Sequence, residues 1–275
     1  MILPLASRQT VDFAEQAGHQ PVLQNLIEIR KLNMIQAINP IRLADNSGRP
    51  PETILVNVTP QETRVALLEE NKVCELHIDR NSGHGLVGNI YLGVVKRVLP
   101  GMQSAFIDIG LERAAFLHIV DVLEQRQKPE ETQRIEHMLF EGQTILVQVI
   151  KDPINSKGAR LSTQISLAGR FLVYLPQDNH IGISQRIEDE EERNELRTRL
   201  KALLPENAGG YIIRTSAETA CDEELQADIG YLAKLWQDIL ARSKTSPPET
   251  MLYEDLPLSL RVLRDMFNGN TQKIF

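Results

Sequence analysis

Cysteine, aromatic residues and long apolar runs are all scarce in this chain of 275 residues, and each scarcity excludes a class of protein. The two cysteines, Cys74 and Cys221, lie far apart outside any CxxC pair, which excludes a disulfide framework and a zinc site. We expect both thiols to be reduced. No segment approaches the roughly 18 apolar residues that span a bilayer, and the N-terminal residues MILPLASRQT have no basic region followed by a long apolar run. These absences predict a soluble, cytoplasmic protein.

The charge of the chain argues against a surface that binds nucleic acid everywhere. The net charge is -7, and the pI is about 5.5. Any contact with RNA must therefore come from a local patch. A hydrophobic content of 42% is enough for one large core or two modest ones, which predicts a globular protein.

Alternating apolar and polar residues predict short strands along most of the chain. The first three, ILVNV, RVALLE and KVCELHID, follow one another from Ile54 and predict antiparallel pairing. Further strands run from Asn89 to about Ser162, interrupted by EQRQKPEETQRIEHML, which we interpret as a surface loop containing a short helix. After Thr163, the strands FLVYLP and YIIRT flank a helix.

Leucine spacing predicts helices in the second half of the chain. One covers about 189–204, and its acidic start at 188–192 is interpreted as a helix N-terminus and not as a metal site. Another covers 222–242, where apolar residues including Trp236 form a stripe typical of burial. SKTSPPE is interpreted as a linker, and LPLSLRVLRDMF predicts a short helix.

Phe106 and Phe116 are the first candidates for a functional surface. Aromatic residues make up only 5% of the chain, yet these two lie in one small β-rich segment with the basic pair Lys96 and Arg97. Exposed rings stack on bases and cations bind phosphates. Alternating strands usually bury phenylalanine, however, and a basic pair is most often a solvated strand edge, so the residue types alone leave both interpretations open.

Four runs of sequence, in this order, carry a family resemblance: NIYLGVVKRVLPGMQSAFIDIGLERAAFLH, KGARLSTQISLAGRFLVYLP, GISQRIE and GGYIIRTSAE. They resemble the N-terminal portion of the bacterial RNase E/G family of endoribonucleases, and most closely its ribonuclease G branch. The resemblance covers about residues 52–275 with few gaps. Four runs in one order are far more specific than any single short motif.

The resemblance implies a mixed α/β fold in which an RNase-H-like domain is interrupted by a five-stranded OB-fold barrel, followed by a helical C-terminal segment. The implied divisions are an N-terminal extension and linker at 1–51, with a predicted helix at 21–38, and a first RNase-H-like part at 52–86. The OB barrel follows at 87–163, the second RNase-H-like part at 164–243, and a linker with the start of another region at 244–275.

The resemblance also implies two sites. Phe106, Phe116 and Lys157 correspond to the family's contacts with single-stranded RNA. Positions that correspond to the family's pocket for an RNA 5′-monophosphate are Gly169, Val173, Arg214 and Thr215, with Arg186 as a possible support. These residue types suit the task, because a guanidinium grips two phosphate oxygens, a hydroxyl donates a third bond and glycine permits close approach of the main chain.

Catalysis is expected elsewhere. The family's aspartate pair, which holds Mg²⁺, and its CPxC-type zinc segment, through which subunits pair, have no counterparts in this chain. Asp108, in FIDIG, and His77, His84 and His118 are therefore interpreted as non-catalytic, and no metal site is expected.

The favoured function is thus the RNA-binding and 5′-end-sensing part of an endoribonuclease that matures ribosomal RNA and turns over messenger RNA. Its expected partners are 5′-monophosphorylated RNA and, in the parent family, further subunits. Two alternatives stay open: a nuclease that uses carboxylates such as Asp79, and a module that binds a protein through the N-terminal extension or the helix that carries Trp236.

Overall fold

The computed structural model describes residues 50–80, 85–122, 134–155, 157–206, 208–267 and 270–275. The N-terminal extension, with its predicted helix at 21–38, lies outside the described residues. The strands within these ranges are β1 Glu52–Val58, β2 Glu62–Glu69, β3 Lys72–Arg80, β4 Ile90–Leu99, β5 Ser104–Asp108, β6 Ala115–His118, β7 Thr144–Lys151, β8 Arg160–Ser162, β9 Leu167–Ala168, β10 Leu172–Leu175, β11 Ile181–Ile183, β12 Gly210–Ile213, β13 Thr250–Tyr253 and β14 Thr271–Ile274. The α-helices are α1 Ile135–Met138, α2 Glu190–Leu203, α3 Asp222–Thr245 and α4 Leu258–Met266.

The first sheet has the order β14-β1-β2-β3. The three predicted strands are confirmed and pair as an antiparallel meander. β14 pairs in parallel with the free side of β1, so a sheet that begins before Asn89 takes its fourth strand from far beyond Thr163. Alternation along β1 and β2 turns Ile54 and Val65 toward one face, where α4 packs with Leu258 and Val262.

Five strands of the second, six-stranded sheet close into an OB-like barrel, which confirms the predicted barrel. The strand order in the barrel is β4-β5-β6-β8-β7, and β7 returns to pair with β4, while β13 is the sixth strand of the sheet, beside β4. β6 and β8 run in parallel, whereas the other barrel pairs are antiparallel. Every second residue points inward, and the barrel core includes Val95, Ile107, Leu117, Val147 and Leu161.

The third sheet has the order β11-β12-β10-β9 and packs against α2 and α3. It carries the strands predicted from FLVYLP and YIIRT. Segments 52–86 and 164–243, which the resemblance assigns to one interrupted domain, therefore contribute strands to different sheets, and the strand beside β1 comes from 244–275.

The helices predicted at 189–204 and 222–242 are confirmed, but the second continues to Thr245 and takes in the first three residues of the predicted linker SKTSPPE. Asp189 caps α2 by accepting hydrogen bonds from the N–H groups of Glu191 and Glu192, so the acidic run is a helix N-terminus. In α3 the predicted stripe is buried at Leu225 and Leu232, and Trp236 packs partly buried against the same core. No helix in the described part of the chain is long and apolar enough to cross a membrane. Both cysteines are free and exposed.

Strand β4 joins the barrel to the third sheet. Tyr91 and Val95 belong to the barrel core, whereas Ile90 and Leu92 belong to the core of the third sheet. β13 adds to the same strand by antiparallel pairing. One strand thus serves two hydrophobic cores through its two faces.

Candidate nucleic-acid interface

Phe106 and Phe116 lie on the outer surface of the barrel. They are directly opposed on β5 and β6, with ring centroids 6.2 Å apart in an edge-to-face arrangement. Their neighbours Ala105 and Ile107 point inward and are completely buried. The ring of Phe106 is 37% exposed, and Phe116 is partly exposed. Alternation in the strands therefore presents both rings to solvent, and the core interpretation does not apply to them.

Basic residues extend the line of the two rings across the barrel. The strand register aligns five residues, which we call the aromatic row: Arg97, Phe106, Phe116, Arg160 and Lys151. Arg97 and Lys151 are exposed at its two ends. Arg160 donates from Nε and Nη2 to Asp121 Oδ2, both at 2.8 Å, so its charge is largely offset. The row combines two apolar faces with cations, as a surface for stacked bases and phosphates requires.

Lys157 is exposed in a tight turn close to the row. The main chains of Ile154 and Lys157 exchange two hydrogen bonds, and Asn155 has a positive φ of 52°. The Phe116 N–H donates to the Ala159 carbonyl at 2.7 Å, which ties the segment after Lys157 to the strand of the ring. The segment that follows Lys157 therefore lies beside the strand that carries Phe116.

Lys96 is occupied by carboxylates. A bulge in β4 separates it from the row, and its Nζ lies 3.0 Å from Asp108 and 3.1 Å from Glu249. Hydrogen bonds to these carboxylates raise the pKa of the Lys96 ammonium. The hydrogen bond from the Gly110 N–H has the largest effect on Asp108 and lowers its pKa; burial opposes this, and Lys96 lowers the pKa further. Lys96 and Asp108 thus connect the barrel to the segment before β13.

The proposed pocket residues come together where β12 ends. Arg214 directly follows β12, and its N–H donates to the Phe171 carbonyl at 2.9 Å. Its Nη1 donates to the carbonyls of Gly169, at 2.5 Å, and Arg170, at 3.1 Å. Thr215 begins a short 3-10 helix at the same place. Val173 of β10 pairs with Ile212 of β12, next to the pair formed by Leu172 and Ile213 at the end of β12.

A buried carboxylate that no sequence motif marked, that of Asp228, organises this turn. Asp228 of α3 accepts hydrogen bonds from the N–H groups of Arg170, Phe171 and Leu172 at 3.1, 2.9 and 2.9 Å. Burial raises the pKa of Asp228, although these bonds and the nearby Arg214 act in the opposite direction. Its burial could have been predicted from the sequence, since Asp228 falls among the apolar residues that α3 buries. The three N–H groups are already used and do not face a ligand.

The carboxylate also explains the glycine. A Cβ on Gly169 would lie 2.5 Å from both Asp228 oxygens, closer than any real contact. Glycine is therefore required at this position by the close approach of α3, in addition to any role toward an anion.

A second missed residue, Asp265 of α4, contacts the candidate arginine. Its Oδ1 lies 2.8 Å from Arg214 Nη1. Arg264 donates to the same carboxylate from Nε and Nη2, both at 2.9 Å, and to the Ala168 carbonyl from Nη1 at 3.0 Å. Burial would raise the pKa of Asp265, but the hydrogen bonds from both arginines lower it overall. No local sequence signal pointed to this contact, which joins residues 51 positions apart.

The remaining candidates lie outside these two groups. Arg186 is exposed in the turn after β11, and the Ser184 N–H of that turn donates to Ile213 beside the end of β12. Asp79 lies 3.9 Å from Arg261. His118 places its ring 6.3 Å from that of Phe116. His84 lies outside the described residues, among which no cluster of three or more His, Cys, Asp or Glu residues could hold a metal.

Comparison with known proteins gives one family. Residues 166–275 match the model of the Ribonuclease E/G family. The chain is 48% identical over 231 residues to ribonuclease G of Haemophilus influenzae, covering 80% of this chain and 46% of that protein. It is 45% identical over 228 residues to ribonuclease G of Escherichia coli, with the same coverage of both chains. Ribonuclease E of a Nostoc species is 37% identical over 226 residues, covering 82% of this chain and 32% of that protein. The chain thus spans about half the length of the ribonuclease G relatives.

Proposed function

We propose a function from the premise that this chain belongs to the ribonuclease E/G family: it binds single-stranded RNA on the barrel and recognises a 5′-monophosphate beside Arg214. The observation that carries the proposal is the aromatic row, because two outward rings in line with exposed cations have no structural purpose in the barrel core. Base stacking on an exposed ring contributes roughly 1 to 3 kcal/mol per base and accepts any base. Lys157 adds a salt-dependent phosphate contact.

The 5′-end part of the proposal is supported by the free edge of the Arg214 guanidinium. All of its hydrogen bonds to described residues use Nη1. Nε and Nη2 therefore remain for a bidentate contact with phosphate oxygens. Thr215 stands next to it as a hydroxyl donor, and Val173 and Gly169 shape the neighbouring main chain. Arg186 and Arg97 are supporting charges in this proposal, and Lys96 contributes least because its ammonium is paired.

The proposal extends to the fold and to the whole protein. An antiparallel meander with a parallel strand beside β1, and α4 packed on one face, supports an RNase-H-like description of the first sheet and its interruption by the barrel. The relatives are longer, and we assign magnesium-dependent cleavage, and subunit pairing through zinc, to the part of them that this chain does not match. The place of action is the cytoplasm, where RNA and reduced, exposed thiols coexist.

Substitution of the two rings tests the RNA surface. In a filter-binding assay with an unstructured oligoribonucleotide at fixed salt, the double change F106A/F116A should lower the affinity by roughly 30-fold or more, because two stacking platforms of about 1 to 3 kcal/mol each are lost. Phe140→Ala is the matched control, since Phe140 is 66% exposed and lies outside the row. Equal affinities of the double variant and the control would remove the stacking assignment.

A protein-binding module is the second candidate, favoured by one strand. β3 forms an edge of the first sheet and exposes Val73, Leu76 and Ile78 by 60, 59 and 50%. Polar substitution of Leu76 and Ile78 should leave RNA affinity unchanged if the aromatic row binds RNA. Capture of a protein that survives ribonuclease treatment and is lost on this substitution would favour the protein-binding module.

A further inference from the structure

The carboxylate of Asp265 holds Arg214 in one orientation. Arg214 Nη1 meets three acceptors, namely two main-chain carbonyls and Asp265 Oδ1. These acceptors fix one corner of a planar group, so they also fix the direction of its opposite edge, which carries Nε and Nη2. A guanidinium that binds phosphate in a fork gains most when this edge is oriented before the ligand arrives.

Arg264 prevents Asp265 from acting as a simple competitor of phosphate. It forms a two-point contact with the carboxylate and anchors itself on the Ala168 carbonyl, so the negative charge of Asp265 is largely balanced. The Arg264 side chain is only 11% exposed, and that of Asp265 is 32% exposed. The Arg264–Asp265 pair is therefore a mostly buried ion pair with fixed geometry and not a mobile ion pair on the surface.

The contact also joins two parts of the fold. Gly169 and Arg214 belong to the third sheet and its loops, whereas α4, which carries Asp265, packs on the first sheet through Leu258 and Val262. Asp265 of α4 thus orients Arg214, although α4 is not part of the third sheet, which carries the other residues of the proposed pocket.

We propose that Asp265 is a positioning residue for recognition of the RNA 5′-monophosphate, acting through Arg214. This inference rests on the proposed function of Arg214. Asp265 does not touch the phosphate itself. Its removal frees the guanidinium to rotate and lowers the preference for a phosphorylated 5′ end, without altering the contacts that the barrel makes with the rest of the RNA.

The test compares one single-stranded oligoribonucleotide in two forms, with a 5′-monophosphate and with a 5′-hydroxyl, at fixed salt. Asp265→Asn keeps the size of the side chain and should lower the ratio of the two affinities by about 3- to 10-fold, as expected for residues coupled through direct contact. Asp222→Asn is the matched control, because Asp222 pairs with Arg199 between α2 and α3. The control should leave the ratio unchanged.

A double-substitution cycle separates positioning from general destabilisation. If Asp265 acts through Arg214, D265N should change the ratio no further once R214A is present. An unchanged ratio in D265N, a raised ratio, or an equal loss for both RNA forms would each overturn the inference while leaving the pocket intact. If R214A itself leaves the ratio unchanged, the 5′-end part of the proposed function fails, and the inference fails with it. Thermal unfolding of each variant identifies loss of folding, and Asp265→Glu, which restores the charge, should then recover part of the ratio.

Discussion

At the scale of single residues, contacts between segments that are distant along the chain determine which side chains a position can carry. Asp228 satisfies three main-chain N–H groups of one turn, and Gly169 leaves the space for its carboxylate. A buried carboxylate with good partners is tolerated, but its removal leaves those N–H groups without acceptors. The same turn supplies the carbonyls that hold Arg214.

Gly169→Ala should therefore destabilise the protein by about 2 kcal/mol, because the new Cβ would overlap the Asp228 oxygens and force the turn to move. Gly230→Ala is the control, for which we expect a change in stability of the opposite sign. It lies in α3 with open space around its Cβ position, and alanine should stabilise that helix by about 0.5 to 1 kcal/mol. Urea unfolding measures both changes, and equal stabilities of the two variants would contradict the role given to Gly169.

At the scale of elements, each helix or strand is specified by a local rule. α2 begins where Asp189 accepts two N–H hydrogen bonds, and three glutamates in its first turn favour the helix dipole. The barrel strands alternate between core residues and the outward aromatic row. Local chemistry thus determines both where α2 begins and which ring faces the solvent.

Asp189→Ala should lower the free energy of unfolding by about 1 kcal/mol, since two N–H groups of the first turn lose their acceptor. Glu195→Ala, at an exposed position in the middle of the same helix, should change it by less than about 0.5 kcal/mol. Chemical denaturation followed by circular dichroism makes the comparison. A cost for Glu195→Ala as large as that for Asp189→Ala would contradict capping as the cause.

At the scale of the whole molecule, β4 makes the barrel and the third sheet depend on each other. Its alternate residues complete two separate cores, so one cannot lose this strand without exposing the other. We infer that the two parts unfold together.

Ile90→Ala tests this cooperativity. Ile90 is completely buried in the core of the third sheet, and its truncation should cost about 2 to 5 kcal/mol. Trp236 fluorescence reports on α3, while far-ultraviolet circular dichroism reports on all elements, and the two unfolding midpoints should coincide in the wild type and the variant. Val58→Ala, at a position 64% exposed, is the control. Separate midpoints for the two probes would show that the parts unfold independently.

Much of the fold was predictable because its information is local. Period-two alternation predicted β1 to β3, and leucine spacing predicted α2 and α3. The pairing of β14 with β1 was not predictable in this way, since it joins the two ends of the described chain. For the candidate site, residue types left Phe106 and Phe116 ambiguous, the family resemblance favoured exposure, and the barrel places both outward.

The amino-acid sequence alone determined the strands β1 to β3 and the apolar stripes of α2 and α3, because the spacing of apolar side chains is a property of neighbours along the chain. Only the tertiary structure decided which carboxylates meet the turn at Gly169 and the guanidinium of Arg214. Asp228 and Asp265 lie 57 and 51 positions from their partners Phe171 and Arg214. Contacts at such separations exist only after the sheets have formed and packed, and no local pattern encodes them.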